Sequence, residues 1–93
     1  MKKFMIERKL PGAGSMSAEE LKAIRETSLR VIEELDQPYK WIQSFITDDA
    51  IYCIHEAETE KQVREHAARC HFPINRVEEI RMVIGPHPSI EGT

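Results

Sequence analysis

The stretch that decides the fold is Trp41–Glu56, WIQSFITDDAIYCIHE. Two β-rich runs are joined there by Asp48-Asp49, a two-residue connection typical of a tight β-hairpin. Aspartate tolerates the left-handed backbone that such turns require, so we interpret these paired carboxylates as structural. Pairing Thr47 with Ala50 then fixes the register of both strands.

Counting outward from that pair divides the side chains of the hairpin between two faces. Ser44 lies opposite Cys53 and Ile42 lies opposite His55, all on one face. The other face receives Trp41, Gln43, Phe45, Tyr52, Ile54 and Glu56. Both faces are largely apolar, so we expect helices to cover one and a second subunit to cover the other.

A strand and a helix are predicted before the hairpin. Lys3–Lys9 contains three consecutive apolar residues, which favours a central strand buried on both faces. Ser17–Glu20 forms a capping box, and apolar residues at three- and four-residue spacing continue the helix to about Leu35. The residue before Pro38 disfavours helix, so the helix is expected to end there.

A second helix and a fourth strand are predicted after the hairpin. Thr59–Gln62 is another capping box, and it opens a helix whose inward stripe is Val63, His66, Ala67 and Cys70. Val77–Ile84 alternates between apolar and charged residues, which suits an edge strand. Residues 85–93 have no pattern and are expected to form a loose tail.

The element order β-α-β-β-α-β predicts the fold class. With right-handed crossovers, the simplest closure is a ferredoxin-like α+β sandwich, a four-stranded antiparallel sheet with two helices on one face. The strand order would be 4-1-3-2, and residues 1–93 would form a single domain. The bare second face of the sheet predicts a homodimer.

Composition limits the function classes. The net charge of −3 and the lack of a Lys/Arg-rich block argue against nucleic acid as a partner. No apolar run approaches the roughly 20 residues that span a bilayer, and the N-terminus does not resemble a signal peptide. Two cysteines do not make a disulfide framework, so we expect reduced thiols in a cytoplasmic protein.

Histidine, cysteine and glutamate side chains suggest a metal site. His66 and Cys70 are four residues apart and share one helical face, opposite the strand that carries Cys53. Such ligands bind Zn(II), Ni(II) or Cu, and Glu7 on the first strand needs a cation, a metal or a dimer rim. The candidate metal ligands are Glu7, Cys53 and His66, with His55, Cys70 and His71 as secondary candidates.

The same residues also have a purely structural interpretation. Free cysteines pack as small hydrophobic residues, and an inward histidine is commonly hydrogen-bonded, here to Ser44, Glu7 or a backbone carbonyl. A nucleophilic Cys53–His66 pair is a further alternative, although no oxyanion hole is recognisable. Cys70, at a helix end, is expected to be more accessible than Cys53.

Several segments together resemble a bacterial family of small proteins, most of which have no assigned function. The segments are FMIERKLPGAG with SAEEL, WIQSFITDDAIYC and VREHAARCHFPINRVEE, and they extend from Phe4 to about Pro88. The markers are Glu7, Pro11, Gly12, Trp41, Ser44, Asp48, Asp49, Tyr52, Cys53, Ala57, His66, Ala67, Phe72, Pro73 and Asn75.

The resemblance implies a ferredoxin-like fold that is usually dimeric. A more distant branch of the family includes a cytoplasmic nickel-binding protein, which makes a divalent metal, nickel or zinc, the leading functional expectation. That relative is rich in histidine just after the first strand, whereas this chain has Arg8-Lys9-Leu10. Cationic side chains there would repel a metal ion.

Three functional classes therefore follow from the sequence. The first is a small cytoplasmic protein that binds a metal or another ligand. The second is an enzyme of the dimeric α+β barrel type, with an organic substrate held between the sheet and the helices. The third is a non-catalytic interaction module.

Overall fold

Four strands and two helices alternate as β-α-β-β-α-β in the computed structural model of the protein, which describes residues 1–87. The elements are β1 (Lys2–Lys9), α1 (Ala18–Leu35), β2 (Tyr39–Ile46), β3 (Ala50–Ala57), α2 (Glu60–Cys70) and β4 (Arg76–Ile80), with a 3₁₀ turn at Ala13–Ser15. No helix in this part of the chain is long and apolar enough to cross a membrane.

The strands form one antiparallel sheet in the order β2-β3-β1-β4. This order is the one predicted, with β1 and β3 in the centre, and it confirms the ferredoxin-like fold. Alternate residues of β1, among them Phe4 and Ile6, are buried in a core that also contains Val31 of α1 and Val63 of α2. Both helices therefore cover the same face of the sheet.

Both helices begin where their capping residues predict. The Ser17 hydroxyl accepts a hydrogen bond from the Glu20 amide, and the Glu20 carboxylate accepts one from the Ser17 amide. At α2 only half of the predicted box forms, because the Gln62 side chain accepts from the Glu58 amide instead. Asp36 ends α1 in a left-handed conformation.

The hairpin closes at the predicted residues, but its aspartates work differently from the expectation. The Thr47 amide donates to the Ala50 carbonyl at 2.9 Å. Neither Asp48 nor Asp49 adopts a positive φ. Instead, the Asp49 carboxylate accepts from the Gly12 amide at 3.0 Å, which fastens the hairpin tip to the loop after β1.

A β-bulge between Trp41 and Gln43 corrects the predicted faces of β2. Trp41, not Ile42, pairs with His55, and Gln43 pairs with Ile54. The extra residue shifts every side chain on its N-terminal side to the opposite face. Trp41 therefore lies on the helix-covered face, and the predicted Ile42–His55 pairing is wrong.

Two strand predictions are corrected at the open side and the end of the sheet. Met5 is 44% exposed, so β1 is central but is not buried on both faces in the single chain. β4 ends at Ile80, opposite Lys3, because β1 offers almost no further residues to pair with. Met82 and Ile84 are exposed, and most of the predicted tail 85–93 lies outside the described residues.

Candidate functional site

A cavity of about 270 Å³ lies between the sheet and the N-terminal half of α1. Its walls are largely apolar: Leu21 and Ile24 come from the helix, and Ile46 and Ile51 come from the hairpin. Leu21 and Ile24 are three residues apart and so lie on the same face of the helix. Ile46 and Ile51 are paired across the hairpin and so lie on the same face of the sheet.

Arg8 supplies a positive charge to the cavity wall. It follows Phe4 and Ile6 on the helix-covered face of β1, and it is only 4% exposed. One guanidinium nitrogen, Nη1, donates to the Pro73 carbonyl at 2.9 Å, and Cζ lies 5.5 Å from the centroid of the Phe72 ring. Among residues 1–87 no carboxylate forms an ion pair with this guanidinium.

A chain of hydrogen bonds crosses the hairpin wall of the cavity. Trp41 Nε1 donates to Ser44 Oγ at 2.9 Å, and Ser44 Oγ donates to Cys53 Sγ at 3.0 Å. Ser44 and Cys53 face each other as the sequence predicts. The bulge is what brings the Trp41 indole into this chain.

Three rings pack together beside the cavity. Tyr39 lies 5.4 Å from His55 and 5.0 Å from His66 between ring centroids, and the two imidazoles are 5.2 Å apart. Tyr39 Oη and His55 Nδ1 form a hydrogen bond of 2.6 Å. His66 Nε2 lies 3.1 Å from Ser28 Oγ, so the partner of His66 is Ser28 rather than Ser44 or Glu7.

Burial keeps this cluster uncharged. The pKa of His55 is lowered to about 3, chiefly by burial and to a smaller extent by the proximity of His66 and Arg8. Burial also lowers the pKa of His66 to about 4, although the hydrogen bond with the Ser28 backbone partly opposes the effect. The pKa of Tyr39 is raised, chiefly by burial, so its hydroxyl stays protonated.

Cys70 is close to His66 but is not the accessible thiol that was predicted. Its Sγ lies 3.6 Å from His66 Nε2, and burial raises its pKa to about 11. Cys70 and Cys53 are each only 5% exposed. Cys70 is buried because its side chain faces α1, where its Sγ lies 4.0 Å from the Thr27 carbonyl oxygen.

The predicted metal ligands are only partly brought together. Cys53, His55 and His66 line the cavity, but Glu7 pairs with Tyr52 on the open face of the sheet. His71 is exposed at the C-cap of α2. Within residues 1–87 no group of three or more His, Cys, Asp or Glu side chains could hold a metal ion. The structure therefore brings Cys53, His55 and His66 to one cavity and leaves Glu7 and His71 apart from them.

Sequence reasoning missed the most polar part of this site. Arg8 was considered as one of the cationic residues that would repel a metal ion, although alternation from Phe4 and Ile6 along β1 places it on the core face. Ser28 lies on the inward side of α1 among apolar residues, and no local signal in the sequence marks it as the partner of His66. Tyr39 lies on the far side of the bulge, where alternation along β2 gives the wrong face.

The comparisons with known proteins agree with the fold. The family model described as "Nickel responsive protein SCO4226-like" matches residues 4–80. A crystal structure of SCO4226 from Streptomyces coelicolor A3(2) is similar with a TM-score of 0.74 and 19% sequence identity, and the match covers 88% of this chain and 99% of that chain. At this identity the likeness shows the fold alone. No protein with a curated description matches the chain.

Proposed function

This chain belongs to the nickel responsive protein SCO4226-like family, and we propose that it is a small binding protein whose cavity holds a small organic molecule. The carrying observation is the cavity itself, about 270 Å³ with a mainly apolar wall and a few buried polar side chains. Small-molecule sites combine these features, and an apolar cavity of about 150 Å³ already holds benzene.

Two features make the cavity suitable for selective binding. The side chains around it are fixed by hydrogen bonds, as in Trp41–Ser44–Cys53 and His66–Ser28. A wall that is ordered before binding loses little conformational entropy when a ligand enters. The proposal is limited to binding. His55 Nδ1 and His66 Nε2 are hydrogen-bonded to Tyr39 and Ser28, whereas the buried His66 Nδ1 has no hydrogen-bond partner within the described residues.

The surroundings of the binding protein are part of the proposal. We place it in the cytoplasm as a homodimer that associates through the sheet face that the helices leave open. Two free cysteines suit a reducing compartment. Met5 and Phe45, at 44% and 52% exposure, are apolar side chains that a second copy would cover.

Trp41 provides the test, because it is the only tryptophan and it lines the cavity. Untagged protein is titrated with a panel of aromatic and branched aliphatic compounds of about 8 to 14 non-hydrogen atoms. We expect a saturable change of indole fluorescence and a matching rise in melting temperature for at least one chemical class. A flat response across the panel would reject the proposal.

A pair of variants distinguishes the cavity from the outer surface. Ile24→Trp places a large side chain in the cavity wall and should abolish the ligand-induced rise in melting temperature. Leu29→Trp makes the same change on the 51% exposed side of α1 and should leave that rise intact. Equal effects of the two variants would place the ligand elsewhere.

Nickel binding is a second candidate, favoured by the description of the family and by the His66–Cys70 pair. These two side chains would supply a nitrogen and a sulfur ligand, which suit Ni(II). They offer too few ligands for a closed site, so further ligands would have to come from another chain or from the bound molecule.

Calorimetry decides this second candidate. Untagged wild-type protein and His66→Ala are heated with and without Ni(II) or Zn(II). A metal-induced rise in melting temperature that disappears in the variant supports metal binding through His66. If His66 is structural, the variant loses about 1–3 kcal/mol of stability with or without metal.

A further inference from the structure

We propose that the ligand of the cavity is an organic anion, and that its carboxylate is bound by Arg8. This inference rests on the proposed binding function and specifies its ligand class. The ligand would carry its negative charge at one end and an apolar body at the other. Arg8 would receive the carboxylate, and Leu21, Ile24 and Ile51 would contact the body.

The first argument is the buried, unbalanced charge of Arg8. A guanidinium withdrawn from water is costly unless an anion and hydrogen bonds compensate it. Arg8 is 4% exposed, and within the described residues its charge is met only by the Pro73 carbonyl and the face of the Phe72 ring. Both are partial compensations, because neither partner carries a negative charge.

The second argument is that no neighbouring group can supply that negative charge. Among residues 1–87, those that line the cavity include no aspartate or glutamate, and Arg25 adds a second cation at its edge. Tyr39 and Cys70 retain their protons, and His55 and His66 are neutral. The net charge around the cavity is therefore positive, although the whole chain is acidic.

The third argument is the geometry that arginine offers. A guanidinium has five N–H donors in a rigid plane, and within the part of the chain that the structure describes Arg8 uses one of them, for the hydrogen bond to Pro73. Its remaining donors suit the two oxygens of a carboxylate, which arginine binds in a bidentate way. The Phe72 ring and the Pro73 carbonyl hold the guanidinium plane in position.

The volume limits the size of the ligand. A cavity of about 270 Å³ is near the lower bound of typical ligand pockets, which begin at about 300 Å³. A monocarboxylate with one ring or a short branched chain would fill it. Larger dianions are disfavoured, because Arg8 is the single buried cation among the lining residues.

Matched pairs of compounds test the charge requirement directly. The probes are benzoate, phenylacetate and 3-phenylpropanoate, each compared with its neutral primary amide of nearly the same shape. Binding is followed by Trp41 fluorescence and isothermal titration calorimetry at constant ionic strength. We expect at least one carboxylate to bind about 10- to 100-fold more tightly than its amide, as charge-assisted hydrogen bonds imply.

Variants of Arg8 then assign the preference to one side chain. Arg8→Met has similar length without charge, and it should bind the carboxylate and the amide equally. Arg8→Lys keeps the charge without the planar fork and should retain only part of the preference. Arg64→Gln, on the exposed face of α2, changes the net charge by the same amount and should bind as wild type does.

The outcomes separate this inference from the proposed function. Equal binding of carboxylates and amides by the wild-type protein overturns the anion inference but leaves the binding function standing. No binding of either series overturns both. A carboxylate preference that persists in Arg8→Met overturns the assignment to Arg8. Where the methionine variant does not fold, a preference in Arg8→Lys as large as in the wild-type protein overturns it instead.

Discussion

At the scale of single residues, the two buried imidazoles make stability depend on pH. The pKa of His55 is lowered to about 3 and that of His66 to about 4, whereas an unfolded histidine titrates near 6.5. Below pH 6.5 the unfolded chain therefore takes up protons that the folded chain excludes. The contribution of the two neutral histidines to the free energy of unfolding is therefore fully present above about pH 7, and it is lost as the pH decreases toward 4.

Urea unfolding at pH 7.5 and pH 5.0 measures this effect. We expect a loss of about 2 kcal/mol for each of the two histidines at the lower pH. His55→Gln or His66→Gln should reduce the pH dependence by about half, whatever the variant does to the stability at pH 7.5. The exposed His87→Gln serves as control, and an equal reduction there would contradict the explanation.

The two thiols give a second prediction at this scale. Cys53 and Cys70 are equally buried, and burial raises the pKa of Cys70 to about 11. Thiolate is the reactive form, so both thiols should react slowly with a maleimide or disulfide reagent in the native protein. Mass spectrometry after limited labelling checks this, and rapid modification of Cys70 alone would show that the end of α2 opens.

At the scale of elements, the loop after β1 packs closely against the hairpin tip, where the Gly14 amide donates to the Asp48 carbonyl at 3.1 Å. A Cβ added to Gly14 would lie 3.0 Å from the Asp48 Cα and 3.1 Å from the Thr47 carbonyl oxygen. Both atoms belong to the backbone and cannot rotate away. Gly14→Ala should therefore reduce the free energy of unfolding by about 1–3 kcal/mol.

Chemical denaturation of Gly14→Ala beside Ser15→Ala measures this contact. Ser15 is an exposed neighbour in the same 3₁₀ turn, so its variant should stay within about 0.5 kcal/mol of wild type. Equal stability of Gly14→Ala and wild type would mean that the loop moves away from the hairpin at little cost.

Most elements could be predicted from the sequence because their signals are local. The capping residue Ser17, the spacing of His66 and Cys70 on α2, and the short hairpin connection each act within a few residues. The bulge at Ile42 has no such signal, since a strand with one extra residue looks regular in sequence. The bulge turns Trp41 toward the helix-covered face of the sheet. Without knowledge of the bulge, the residues of the cavity wall could not be predicted.

At the scale of the whole molecule, the open face of the sheet predicts self-association. Phe45 and Tyr52 pair across the hairpin on that face, beside Met5 and Ile54. We expect a homodimer at micromolar concentration by multi-angle light scattering, and Phe45→Lys should shift it toward the monomer. Leu29→Lys, an equal change on the exposed side of α1, should leave the mass unchanged, and a monomeric wild type would refute the prediction.

The sheet order also determines when the cavity can exist during folding. β2 and β3 are neighbours in sequence, whereas β1 and β4 pair residues as far apart as Lys3 and Ile80. Closing that long loop costs more chain entropy than forming the hairpin, so the first and last strands are expected to meet late. Arg8 meets Pro73 across a similarly long stretch of the chain, since the two residues are 65 positions apart. A ligand that needs this contact can therefore bind only a chain in which β1 and the segment after α2 have already come together.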